Sequence, residues 1–501
     1  MKQPTVLSLV VLLLLVGGIS PSIAQEDTSI RFDYDYTTEA KLAETIDLDN
    51  PDPSIIQRVL SERRERVLQA IPDGVMLLFS VERAQPRRLE FLVPDSENHD
   101  FTFLTGLEGL DSLDSALLLL PAADGKITVL YTSAEPDRIR EMTGIEDVYP
   151  FSKLEEHMSV ALTDYRDWRI TQIRRNPLAG AISKHWGRDN KVLFLNYPRF
   201  LRLGMPEPPR LALFEKMQRF SPELVVKDSA DILDNVRMLH DAYGLACLRR
   251  AVQITREGLV EGLRAARPGM TEKQGMETID FVYRYRGATL GFPTAFRKMS
   301  MSGRRQERSV PEGYIQFVPR STAHVFESGD MIHTDTGAAY QHYSADVQRS
   351  MPVDGKFTPE QRRLYEITLD VQKAVISKIK PGVTWWELHN LAVEMLREAG
   401  GYDEYYTYGI GHFVGMEVHD EGDYEAPLQP GMVLAIEQGV APPDGPRVAL
   451  EDDVLVTETG HEWLSRTIPI EVDEIEAMAA VPSNLKAFVG KKPLTIEPDT
   501  E

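Results

Sequence analysis

Cysteine is almost missing from this sequence of 501 residues, where Cys247 stands alone. One thiol excludes an intrachain disulfide and a cysteine-ligated zinc site. Its place in the helical run Tyr243–Thr255 points to a buried structural residue rather than a nucleophile. Positive charge is also short, with 55 Lys and Arg against 77 Asp and Glu, a formal net charge of −22. Such an excess of anions repels phosphate backbones and anionic lipid, so no nucleic acid and no membrane surface is expected as a main partner. Beyond the amino-terminal segment no apolar run is long enough to span a bilayer. The patterns G-x-S-x-G, Walker loop and H-E-x-x-H are absent, which leaves serine hydrolase, nucleotide hydrolase and single-zinc protease readings without support.

What is present is ordinary globular composition, 42% hydrophobic and 26% charged, over a length that suits more than one domain. Lys2, the apolar segment Val6–Val16, the breakers Gly17, Gly18 and Pro21, and Ser22-Ile23-Ala24 follow in the order of a secretory signal. That apolar segment is too short for a hydrocarbon core of roughly 30 Å, so the expectation is cleavage near Ala24 and no membrane anchor. The mature protein is then exported, to a periplasm or to the medium. Residues 25–52 are acidic and lack hydrophobic periodicity, which reads as an extension or linker. From 53 to 230 short apolar runs (Gly74–Ser80, Ser115–Leu120, Lys126–Tyr131) alternate with helical stretches (Ile55–Ile71, Arg138–Met142), the pattern of an α/β domain, with a junction at Lys227–Asp234.

Residues 231–480 open with a long amphipathic helix, Ala242–Ala266, closed by Pro268-Gly269. Thr271 with Gln274 then forms a capping box, and the same punctuation returns at Pro381-Gly382 and Thr384 with Glu387, which hints at an internal duplication. Between and after these units the strands Met331–Thr336, Ala345–Met351, Val433–Glu437 and Leu450–Thr457 are expected, and 481–501 form a tail. The class is α+β.

Three segments place ionisable residues inside otherwise apolar strands, where an unpaired charge is costly to bury. The first is Ile332-His333-Thr334-Asp335-Thr336-Gly337 with Asp346 eleven residues after Asp335, a spacing that lets the two aspartates face each other across a hairpin. The second is Gly409-Ile410-Gly411-His412, ending at His419-Asp420. The third joins Pro430-Gly431-Met432-Val433-Leu434-Ala435-Ile436-Glu437 to Glu451-Asp452-Asp453. Two Asp, one His and two Glu form an oxygen-rich set with one imidazole, which suits a pair of divalent ions such as Mn²⁺, Co²⁺ or Zn²⁺. Salt-bridged strand ends explain any one segment, but not all of them in this order.

These motifs resemble the pita-bread metallopeptidases, the family of aminopeptidase P (Xaa-Pro aminopeptidase), prolidase and methionine aminopeptidase, over about residues 235–470. Arg63-Arg64 and Asn98-His99-Asp100-Phe101-Thr102-Phe103-Leu104-Thr105-Gly106 resemble the amino-terminal domain of aminopeptidase P. The resemblance implies a pita-bread catalytic domain preceded by a smaller, creatinase-like α/β domain. It implies two divalent metal ions, manganese first and cobalt or zinc as alternatives, held by Asp335, Asp346, His412, Glu437 and Glu451. Asp335 would chelate one ion, Asp346 and Glu451 would bridge both, and His412 with Glu437 would hold the second. A hydroxide between the ions would attack the scissile carbonyl of a peptide substrate, with Glu437 shuttling the proton and His419 steadying the carbonyl. Relatives of this kind are often homo-oligomers, dimers or tetramers.

The chain departs from the family around the pocket. Tyr408 stands where a histidine usually precedes the ligand histidine, and Val318 lies where another is expected, for which His324 is a substitute. Ala441 replaces an aromatic residue, Ala449 replaces an arginine with Arg447 nearby, and Glu437-Gln438-Gly439 replaces E-P-G. His333 alternates onto the same strand face as Asp335 and is read first as a core histidine, second as a substrate contact. The run Arg304–Arg308 reads as a solvated loop. An exported exopeptidase cleaving an Xaa-Pro bond is therefore weighed against a dinuclear-metal hydrolase of non-proline substrates and against a metal-containing binding protein. Metal-free creatinase chemistry is disfavoured because all five ligand positions are kept.

Overall fold

The computed structural model describes residues 32–80, 98–122, 125–163, 175–187, 191–197, 209–299, 324–406, 409–443 and 445–485. The expected signal at 1–24, the run Arg304–Arg308, Val318, Tyr408 and most of the tail 481–501 lie outside these residues. Among the described residues no helix is long and apolar enough to cross a membrane.

The first sheet comprises β1 (Gly74–Phe79), β2 (Ala116–Ala122), β3 (Gly125–Thr132), β4 (Asp147–Pro150), β5 (Lys191–Leu195) and β6 (Leu224–Asp228), in the spatial order β4-β3-β2-β1-β5-β6. β2 runs antiparallel to β1 and β3, and the other pairs are parallel. Helices cover both faces, which is why β1 is apolar throughout instead of alternating. Met76 and Leu78 pack with Val67, Leu68, Phe101 and Leu104, from the helices Pro53–Ala70 and His99–Thr105. Val75, Leu77 and Phe79 point the other way, onto Leu154, Met158, Ile182 and Trp186.

One expectation is corrected here. The acidic segment before residue 53 is not a bare linker, because Tyr36–Ala43 is a helix capped by Asp35. Its buried Glu39 receives Arg66 Nη2 at 2.9 Å and the Ala242 amide at 2.8 Å, while Ala43 joins the core and Leu42 packs against it, so charge and apolar contact together dock it. At Lys227–Asp234 the first sheet's last strand, β6, ends at Asp228, and the helix Ala230–Arg237 follows after Ser229.

The second half holds β7 (Thr289–Leu290), β8 (Ala295–Met299), β9 (Met331–Thr336), β10 (Ala338–Tyr340), β11 (Tyr343–Ser344), β12 (Val347–Pro352), β13 (Gly411–Phe413), β14 (Val433–Val440), β15 (Val448–Val456) and β16 (His461–Trp463). They form three sheets, β11-β10-β7, β12-β9-β8 and β13-β14-β15-β16. The helix pair Ala242–Ala265 and Glu272–Tyr285 packs on β8, β10 and β11, while Pro359–Lys378 packs on β14 and β15 beside Trp385–Glu398. Both capping boxes, Thr271 with Gln274 and Thr384 with Glu387, are formed. β12 and β15 meet where the two halves of this arrangement join.

One buried ion pair ties the first sheet's helices to the second half. Arg63 on the helix Pro53–Ala70 reaches Asp241 with Nε at 2.6 Å and Nη2 at 3.1 Å. Its remaining donors go to the Phe103 carbonyl at 2.9 Å and the Tyr343 hydroxyl at 2.8 Å. Asp241 is also the N-cap of the helix Ala242–Ala265, accepting from Gly244 at 2.9 Å. Burial alone would raise the Asp241 carboxyl, but Arg63 holds it down at about 2. Its folded value is thus depressed, so its contribution is present at neutral pH and is lost only as pH falls from about 4 towards 2. Asp241→Asn leaves the guanidinium buried without a counter-charge, a loss of about 3–5 kcal/mol. The urea midpoint at pH 7 should fall accordingly, and an unchanged midpoint would show that the pair does not hold the two parts together.

Candidate metal centre

The strand registers decide which side chains meet. Asp335 on β9 lies opposite Gln348 on β12, not opposite Asp346. Asp346 precedes β12 by one residue, on the same face as Gln348, so the two aspartates are diagonal neighbours rather than the direct pair their spacing suggested. Glu437 on β14 and Glu451 on β15 are direct cross-strand partners. His412 on β13 sits opposite Ala435, on the face shared with Glu437. Gly411 brings β13 close: its φ is +134°, and a Cβ there would collide with the Ala435 carbonyl.

Ligand atoms from these strands converge in three overlapping groups, each within 4.8 Å: Asp335, Asp346 and Glu451; His412, Glu437 and Glu451; Asp346, His412 and His419. His412 Nε2 lies 3.5 Å from both Asp346 Oδ2 and Glu451 Oε1, and the His412 and His419 rings stand edge-on at 4.2 Å. Glu451, Asp346 and His412 each belong to two of the three groups. His419 is exposed, and Asp335 and Glu437 are half-buried, so the centre opens on their side.

Burial makes this cluster electrostatically unfavourable by itself. Desolvation first, and the Glu451 charge second, push Asp335 up to about 7 and Glu437 up to about 8, and raise Asp346 far above the usual carboxylate range. Burial works against a charged His412, but the Asp346 and Glu451 carboxylates outweigh it and hold the imidazole well above its ordinary value. Both Glu451 carboxylate oxygens and Asp346 Oδ1 are buried without a hydrogen-bond donor. Buried acceptors left unfilled, in a set rich in hard oxygen, fit divalent cations.

A surrounding layer of residues holds these ligands, and sequence reasoning did not assign it. Asp453 accepts the Asp346 amide at 3.3 and 3.1 Å, which fixes the turn into β12. The fully buried Arg349 donates to the Glu451 carbonyl at 2.8 Å and to Asp452 Oδ1 at 2.8 Å, locking β12 to β15. Gln372 and Ser465 complete Asp452 at 3.1 and 2.5 Å. Gln348 Nε2 approaches Glu437 at 3.4 Å. The signal available was polar residues continuing past each candidate ligand, as in Asp346-Val347-Gln348-Arg349.

The pocket candidates fare less well. Tyr408 is outside the described residues. His324 is not part of the converging groups: its side chain is exposed and its backbone carbonyl accepts the Glu272 amide at 3.2 Å. His333 is buried opposite Ser350 and Arg297, and it too is absent from those groups. Burial first, then Arg447 and Arg297, push it down to about 3, so it stays neutral. Its Nδ1 has no partner, so the expected satisfied core histidine is a core histidine left unsatisfied.

Residues 246–458 match the model of metallopeptidase family M24. The chain is 29% identical over 269 residues to the Xaa-Pro dipeptidase of Pyrococcus furiosus, covering 53% of this chain and 74% of that one. It is 28% identical over 291 residues to the Xaa-Pro aminopeptidase of Escherichia coli, covering 52% and 64%. The structure of zinc-substituted Escherichia coli aminopeptidase P in complex with product superposes with a TM-score of 0.67 at 21% identity, over 85% of this chain and 98% of that one. The shared shape is an amino-terminal domain followed by a pita-bread domain.

The raised carboxyls have a measurable consequence in the chelator-treated protein. Asp335 and Glu437 bind protons more tightly folded than unfolded, so stability falls as pH rises from about 4 to about 8. The metal-free protein should melt lower at pH 8 than at pH 5, and Asp335→Asn should shrink that difference. An equal pH dependence in wild type and variant would refute the assignment.

Proposed function

We propose that this chain, whose residues 246–458 match the model of metallopeptidase family M24, is a metal-dependent exopeptidase that hydrolyses an amino-terminal peptide bond of the Xaa-Pro type. The observation that carries this reading is the convergence of Asp335, Asp346, His412, Glu437 and Glu451 with carboxylate oxygens that no donor satisfies. The names of the relatives support the proline preference. Export, to a periplasm or to the medium, rests on the order of residues Lys2 to Ala24.

A pair of divalent ions, manganese first and cobalt or zinc also fitting, supplies when bound a nucleophilic water at neutral pH. Asp335, Asp346, His412, Glu437 and Glu451 would hold these ions. Glu437, half-buried at the open side, is placed to take a proton at its carboxylate and return it to the leaving amine. His419 is assigned to the substrate carbonyl, where it donates a hydrogen bond as negative charge develops on that oxygen. A second reading, a non-proline substrate, is favoured by Ala441 and Ala449, which offer no ring and no guanidinium at positions where the family pattern has them.

Hydrolysis of Xaa-Pro-peptides, Xaa-Pro dipeptides and non-proline peptides by the metal-loaded protein separates these readings. Proline-dependent cleavage is expected, with Glu437→Gln slower by roughly 10²–10⁴-fold. Cleavage of non-proline peptides alone moves the reading to the second substrate class. Bound metal with no turnover on any peptide overturns both.

A further inference from the structure

His419 lies on a segment without helix or strand, between β13 and β14, and it is exposed. A side chain that must meet a developing charge within a few tenths of an ångström needs its loop held from outside. The loop is built around its next residue, Asp420. The Asp420 carboxylate accepts the Met416 amide at Oδ2 and the Glu421 amide at Oδ1, both at 2.9 Å, and the Asp420 amide donates to the Phe413 carbonyl at 3.0 Å. Gly415 is obligatory there, because a Cβ would run into that carboxylate and the His240 ring.

The cation that faces Asp420 comes from outside the loop. Arg237, 3% exposed at the end of the helix Ala230–Arg237, directs Nη2 onto Asp420 Oδ1 and Nη1 onto Asp100 Oδ1 at 2.7 Å. Asp100 belongs to the helix His99–Thr105, which packs on the first sheet, and its neighbour His99 holds Glu417 of the same loop at 3.1 Å. A guanidinium shared between two carboxylates has its orientation fixed by both. Asp100 therefore sets the fork that sets Asp420, and Asp420 organises the backbone that carries His419.

We propose that Asp100 and Arg237 are positioning residues for His419, so that the amino-terminal domain holds part of the machinery in register. The inference rests on the reading that His419 acts on the substrate carbonyl. Arg237 is too buried for a clean test, whereas Asp100 is partly exposed and Asp100→Asn keeps its shape.

The experiment is a double-mutant cycle of Asp100→Asn and His419→Ala on an Xaa-Pro-peptide, with metal content and melting temperature measured for each protein. Asp100→Asn should lower kcat about tenfold with KM and bound metal nearly unchanged, and Asp100→Glu should recover part of the loss. In the His419→Ala background Asp100→Asn should cost nothing further. Full additivity, or an unchanged kcat in Asp100→Asn, would overturn the proposal. Ring resonances of ¹³C-labelled histidine in the metal-free protein test the clasp without any activity. Asp100→Asn should shift the His419 signals and leave His185 in place, and unmoved His419 signals would overturn the proposal even if no peptide is cleaved.

Discussion

Mutual repulsion among buried carboxylates is the constraint on which the second half of this protein depends. Asp335, Asp346, Glu437 and Glu451 stand on neighbouring strands facing one another, with one imidazole among them. Burial first, and the charge of neighbouring carboxylates second, raise Asp335, Asp346 and Glu437 above their ordinary values. Divalent cations held among them would turn the repulsion into attraction. The same feature that makes the apo centre unfavourable makes it a strong site for hard metal ions.

Ordered scaffolding is needed to keep such groups together. Arg349 and Asp452 clamp β12 to β15 behind the ligands, and Asp453 anchors the turn at Asp346. Farther out, Arg63 with Asp241 and Arg237 with Asp100 and Asp420 join the first sheet's helices to the strands and loop of the centre. Each is a buried charged group met by opposite charge and hydrogen bonds, the arrangement under which burial is tolerated. The open side of the centre is thus supported by parts of the chain far apart in sequence.

The ligand positions were legible because ionised residues in apolar strands stand out against their neighbours, and the capping boxes because their spacing is local. Strand register was not legible: the eleven-residue spacing suggested a direct Asp335–Asp346 pair, whereas β9 and β10 belong to different sheets and Gln348 takes the place opposite Asp335. Long-range ion pairs such as Arg349–Asp452 leave no local pattern, and the same holds for the Glu39–Arg66 pair that helps dock the helix Tyr36–Ala43.

Metal stoichiometry tests the central claim most directly. The protein would be loaded with manganese, dialysed exhaustively, and its bound metal counted in wild type, Asp335→Asn and Glu451→Gln. The account predicts two ions per chain in wild type, no more than one in Asp335→Asn, and almost none in Glu451→Gln, because Glu451 belongs to two of the three converging groups. Metal retained by Glu451→Gln at the wild-type level would contradict it.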